Sequence, residues 1–261
     1  MTTPLEFAAL LRLIDERSTA FRAAVAAAPS LDAQVPTCPE WTLFDLVQHL
    51  GEGRQAWAAT VAAGPAAAKS APEGAPAAPQ GREALLDWSA ASTQQLLDAL
   101  REAGPDRGCW TWWGASQSPQ TSGAVARYQF QEIAVHTYDA QLAVGAPHPQ
   151  SLPDEVALDG VDEFLSTCCA TTSPWPHKPA AVATHATEGH SWHLSLSSDG
   201  ARITHLPTTA VGEAPNAPDA SLQGTAGELV LALYGRTPVD SLKLDGNRRL
   251  LDLLWAWEPE A

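Results

Sequence analysis

A chain of 261 residues with 45% hydrophobic and 17% charged side chains has a globular composition, and is long enough for one large domain or two small ones. Its formal charge of −15 argues against nucleic acid or an anionic membrane surface as partner, since either would be repelled. No stretch is apolar over the ~18 residues a membrane helix needs, and Glu6, Asp15 and Glu16 interrupt what a secretory signal would keep uncharged. Cys38, Cys109, Cys168 and Cys169 form no C-x-x-C pair and fit a reducing compartment, so a cytoplasmic location is expected.

Residues 5 to 28 place Leu5, Ala8, Leu11 and Phe21 among other apolar side chains at helical spacing, which predicts a first amphipathic helix. Pro29 closes it, and SLDAQVPTCPEW reads as a link rich in turn formers. Thr42 followed by Asp45 is a capping-box pattern, so a second helix is expected from Thr42 to Ala63. His49 lies at the edge of its inward face, with Trp57 two turns further along the same side. Residues 64 to 81 carry four prolines among Ala and Gly and read as a flexible connection. A third helix follows from Arg82 to Ala103. Then Trp110, Trp112 and Trp113 fall within four residues, either as a hydrophobic plug under a loop or as the aromatic wall of a ligand pocket.

Arg127 to Gly145 predicts a fourth helix, stopped by its glycine. Val125, Tyr128, Glu132, Val135, Asp139 and Leu142 recur at steps of three and four and form one stripe. A stripe mixing Val, Tyr and Leu with Glu and Asp is no ordinary core, because a buried carboxylate needs a compensating partner. Glu132 and His136, four apart, point the same way from consecutive turns. His49 on the second helix is the best third ligand for a metal ion shared with them. Two imidazoles and one carboxylate suit Zn²⁺, with Fe²⁺, Ni²⁺ or Mn²⁺ also possible. Asp139 is then an acceptor for a ring N–H. By spacing alone, a metal site and a hydrogen-bonded core network both remain open.

After Gly145 the pattern changes. A Pro-rich linker leads to a helix from Val156 to Ala170. Strands are expected at 180–186, 191–197, 202–206, 220–223 and 241–245, with helices at 225–234 and 248–257. The fold class is therefore α+β overall: an N-terminal four-helix bundle over residues 1–147, followed by a small α+β domain over 148–261. His185, His190 and His193 surround a predicted hairpin and read as exposed histidines rather than a second metal site. His148, His177 and His205 read as solvent-facing.

Four blocks together carry a family resemblance: VPTCPEWTLFDLVQHLGE around His49, WTWWGA, QEIAVHTYDAQLAVG around Glu132 and His136, and LYGRTP around Arg236. In this order and at these separations they resemble the mycothiol-dependent maleylpyruvate isomerase family, whose N-terminal part is a DinB-like bundle and whose C-terminal part resembles sterol-carrier-type folds. The resemblance implies a divalent metal, Zn²⁺ first among candidates, held by His49, Glu132 and His136, and mycothiol as thiol cosubstrate. It implies Arg236 as a catalytic arginine holding a substrate carboxylate, although an arginine after a helix can equally face the helix carbonyls. Trp57 and Trp113 are assigned to the wall that receives the cosubstrate. Two positions depart from the family pattern: Gln131 stands where a His is common, and Thr137 where an Arg is common. The implied reaction is thiol addition to a cis double bond, rotation about the resulting single bond and elimination to the trans isomer. Two alternatives stand beside it: a mycothiol S-transferase in detoxification or natural-product assembly, and a non-catalytic small-molecule-binding bundle. The expected partners are a small electrophile and a thiol, for a monomer or homodimer.

Overall fold

A computed structural model of the chain describes residues 5–67, 74, 76–146, 149–206 and 217–258. It divides into two compact units, one of Leu5–Trp112 with Gln120–Ser151, the other of Trp113–Pro119 with the chain from Leu152 onward.

The first unit is a four-helix bundle of α1 (Phe7–Ala27), α2 (Leu43–Ala63), α3 (Arg82–Ala103) and α4 (Ser122–Ala143). α1 packs chiefly on α4 and α2 on α3, and contacts of α1 with α3 and α2 with α4 close the ring. Leu10, Ile14, Phe21 and Val25 bury one face of α1. The capping box of α2 is complete: Thr42 Oγ1 accepts from Asp45 N, and Asp45 accepts from Thr42 N at 2.8 Å. Gly51 lets α2 and α3 approach closely, since a Cβ there would stand 2.0 Å from the Trp88 ring. The most deeply buried cation among the described residues lies in this core. Arg54 is 2% exposed and donates to Thr93 Oγ1 at 2.7 Å and Ser18 Oγ at 2.8 Å, tying α2 to α3 and α1. Burial brings its pKa down to about 9, helped by Arg22 and opposed by the charge of Glu132.

Two features of this unit differ from the sequence reading. α4 starts at Ser122, more than a turn before Arg127, with Thr121 as its N-cap. Gly123 lies inside the first turn, where Pro105 O packs against it; a Cβ there would come within 2.8 Å of that oxygen. The link between α1 and α2 is also more than turns. It forms a short antiparallel hairpin of β1 (Gln34–Val35) and β2 (Cys38–Thr42). The Gln34 amide donates to the carbonyls of Pro39 and Trp41, both at 2.6 Å, which holds a strand that contains a proline. In the Ala/Pro/Gly connection Gly64–Ala66 make one 3₁₀ turn, while residues 68–73 and 75 lie outside the described residues.

In the second unit α5 (Asp154–Phe164) ends earlier than expected, passing into a π-turn over Leu165–Cys169. A five-stranded sheet follows, from β3 (Ala180–Ala186), β4 (His190–Ser197), β5 (Gly200–Leu206), β6 (Ala220–Gly224) and β7 (Lys243–Gly246). Its order is β5-β4-β3-β6-β7, antiparallel except for the parallel pair β3 and β6. The last strand starts after Ser241 because Val239–Ser241 form a 3₁₀ turn. α6 (Ala226–Leu233) has its own capping box from Thr225 and Glu228, and α7 (Arg248–Trp255) starts at Asn247 as N-cap. No helix among the described residues is long and apolar enough to cross a membrane.

Candidate metal centre

α2 and α4 run side by side, so His49 and the pair Glu132/His136 meet across the bundle. One donor atom from each of the three lies within 4.8 Å of the others, the one such group of three among the described residues. His136 Nε2 is 3.4 Å and His49 Nε2 3.8 Å from the same oxygen, Glu132 Oε2. Two ligands each ~2.1 Å from one ion at a near-tetrahedral angle sit about 3.4 Å apart, so the separations fit a shared divalent ion. Burial is graded across the trio. The His136 side chain is 7% exposed, Glu132 20% and His49 44%, so the site opens on the His49 side.

The orientation of His136 is set from behind. Its Nδ1 stands 2.8 Å from Asp139 Oδ2, one turn along α4, and Asp139 is fully buried. A carboxylate only accepts, so Nδ1 carries the proton and Nε2 faces Glu132 and His49. The β1–β2 hairpin completes this arrangement: Thr37 Oγ1 donates to Asp139 Oδ1 at 2.6 Å, and Cys38 Sγ lies 4.0 Å from Oδ2. Trp41, from the same hairpin, packs its ring 4.7 Å from that of His49 and 6.1 Å from that of His136.

Two opposed effects act on Glu132. Burial works to raise its pKa, but hydrogen bonds from His136 and His49, the charge of His136 and a bond from Tyr128 hold the carboxyl well below the usual range. His136 is the mirror case. Burial disfavours its charged form, yet hydrogen bonds to Asp139 and Glu132 and the charge of both raise its pKa. The cluster therefore holds concentrated negative charge facing two imidazoles, a donor set suited to a cation.

An aromatic array adjoins the trio through Tyr128, one turn before Glu132. Trp57 and Trp112 each lie 5.9 Å from the Tyr128 ring, and Trp110 lies 6.4 Å from Trp57. Trp113 is 2% exposed and donates its indole N–H to Pro119 O at 3.0 Å. Arg236 follows α6 in the second unit, where its Nη1 donates to Tyr234 O at 2.6 Å. Gln131 and Thr137 are both buried, and Thr137 bonds to the carbonyl of Ile133 and to that of Arg17 on α1. His185 pairs with Ser191 and His193 with Ser195, while His205 contacts Asp162 at 3.0 Å. His148 lies outside the described residues.

Spacing assigns no role to Thr37, Cys38 or Trp41; the signal for them is that all three lie in the block VPTCPEWTLFDLVQHLGE, directly before a capped helix.

Comparison with known proteins yields two family models. One, described as the mycothiol maleylpyruvate isomerase N-terminal domain, matches residues 11–141, and its C-terminal counterpart matches residues 155–253. A search of curated protein sequences finds no significant match. Among solved structures, the fold is similar to that of the mycothiol-dependent maleylpyruvate isomerase, at TM-score 0.52 and 14% identity. A histidine-to-alanine mutant of that enzyme aligns at TM-score 0.56 and 14% identity. Both alignments cover 92% of this chain and 93% of the other.

Proposed function

Because the chain belongs to the mycothiol maleylpyruvate isomerase family, we propose that it is an enzyme that uses a low-molecular-weight thiol, mycothiol, on a small electrophile, with cis–trans isomerisation of a maleylpyruvate-like substrate as its reaction. The observation that carries this reading is the convergence of His49, Glu132 and His136, with the His136 ring held by Asp139.

A divalent ion held by these three residues, Zn²⁺ first among candidates, would supply the positive charge that lowers a thiol's pKa toward neutrality. His136 presents Nε2 while Asp139 holds the proton on Nδ1. Glu132 contributes the one negative charge of the trio. His49 is the exposed member, so small molecules approach from its side. Trp57, Tyr128 and Trp112, their rings steeply inclined to one another, form an aromatic cluster beside Glu132 suited to excluding water from a reacting thiol. On this reading the partners are small molecules, and neither nucleic acid nor membrane takes part.

The test measures metal content of the purified protein and analyses products by mass spectrometry after incubation with mycothiol and maleylpyruvate. The expected result is about one metal per chain, a rearranged substrate and recovery of free thiol. A stable thioether adduct would instead make the protein an S-transferase. Absence of stoichiometric metal, with no turnover of either kind, would overturn the reading in favour of a binding protein.

A further inference from the structure

The second unit contains an apolar cavity lined, among the described residues, by its own side chains, and we infer that it is a binding site for a small neutral aromatic molecule. This inference stands on the second unit alone and is independent of the reading of the metal centre.

The cavity measures about 190 Å³. Its floor is one face of the sheet, where Val182 of β3 stands opposite Leu194 of β4, and Leu222 of β6 lies beside Thr184. Phe164 and Leu165, at the end of α5, form one wall, and Leu233 of α6 another. Among the described residues no charged side chain lines it. A charged ligand would lose its hydration without a partner, so the occupant is neutral.

The mouth lies at the end of α7, where Leu254, Trp255 and Trp257 complete the lining. Trp255 is 42% exposed, the one large hydrophobic side chain in that class among the described residues. Trp257 is braced edge-on by Trp175, with ring centres 5.0 Å apart. Exposed tryptophan beside an apolar opening is the arrangement expected of an entrance. Phe164, Trp255 and Trp257 offer ring faces and edges to an aromatic guest.

Size narrows the class. A core cavity of about 150 Å³ takes up benzene. At the filling of a simple liquid, about one half, the cavity here holds roughly 100 Å³ of ligand, one ring or an indole-sized pair. A sterol or long acyl chain is too large. Two cysteines, Cys168 and Cys169, lie on the lining, and burial pushes the Cys169 thiol up to about 12, which favours its neutral S–H form.

The test titrates the full chain with indole and toluene by calorimetry and ligand-observed NMR, with indole-3-acetate and decanoate as contrasts. Saturable one-to-one binding of indole and toluene is expected, at least tenfold tighter than that of indole-3-acetate. Val182→Phe and Leu222→Phe, each filling the floor, should cut affinity at least tenfold. Leu233→Ala, which deepens the cavity, should admit naphthalene, and it carries the test if both filled variants fail to fold. No saturable binding, unchanged binding in a folded filled variant, or no gain for naphthalene in Leu233→Ala would overturn the site. Preference for decanoate would overturn the aromatic class.

Discussion

Asp139 Oδ2 lies 2.8 Å from His136 Nδ1, and the carboxylate that makes this contact has no exposed surface. The pair decides which imidazole nitrogen reaches the donor cluster. Asp139→Asn keeps the shape and removes the charge. Zn²⁺ affinity should fall about 10–100-fold, as it does when partners of this kind are lost elsewhere. Thr37→Val, which removes the hydroxyl on Asp139 Oδ1, should give a smaller loss in the same direction. Competition with a chromogenic chelator measures both, and unchanged affinity in Asp139→Asn would show that the ring is held by something else.

Stability of the metal-free protein should depend on pH through the same cluster. The Glu132 carboxyl is depressed below its ordinary 4.5, so its contribution is present above that value and lost as pH falls below it. His136 is raised above its ordinary 6.5, so its contribution is complete below that value and lost as pH rises through the folded pKa. The cluster is therefore most stabilising between 4.5 and 6.5. Melting curves across pH should show Tm declining on both sides. Glu132→Gln should flatten the acid limb and His136→Gln the alkaline one; an unaltered profile in both would remove the cluster as its source.

Arg54 is satisfied in the bundle core by two hydroxyls, those of Thr93 and Ser18. Thr93→Val leaves a buried guanidinium N–H without its acceptor, at a cost of roughly 1–3 kcal/mol. Ser18→Ala should cost a similar amount. Arg54→Met removes the charge and its need for partners together, so it should be milder than either single hydroxyl loss. Urea denaturation of the three variants gives the order directly.

Gly51 faces the Trp88 ring so closely that a Cβ would stand 2.0 Å from it. Gly51→Ala should push α2 from α3 and destabilise the bundle by about 1–3 kcal/mol, despite the better helix propensity of alanine. Gly53→Ala is its control, because nothing lies within 4 Å of a Cβ there. That variant should gain slightly, and a loss equal to that of Gly51→Ala would refute the packing explanation.

Local signals were readable where they were strong. The bounds of α3 follow from Gly81 and Gly104, and those of α2 from the Thr42/Asp45 box. The four-residue step from Glu132 to His136 put both on one side of a helix. Other features depend on contacts that no window of sequence contains. Thr37 and Asp139 are 102 positions apart. The spacing of α4 predicts a single inward stripe, yet Gln129, Phe130, Gln131, Ile133 and Ala134 are buried as well, nearly all round the helix. Periodicity detects a difference between faces, and a helix enclosed by its neighbours has little. The need for a glycine at 123 is hidden in the same way, because the Pro105 oxygen that a Cβ would meet comes from another segment.

The hairpin before α2 supplies none of the three donor atoms, yet Thr37 and Cys38 brace Asp139 and Trp41 lies against His49. The same stretch of chain carries α1, the main packing partner of α4. The opening forty-odd residues thus bear on both the seating of the helix that carries Glu132 and His136 and the ring nitrogen His136 presents. Sequence drift there can change how the His136 ring is held while His49, Glu132 and His136 stay unchanged. A comparison of relatives restricted to the donor residues would overlook it.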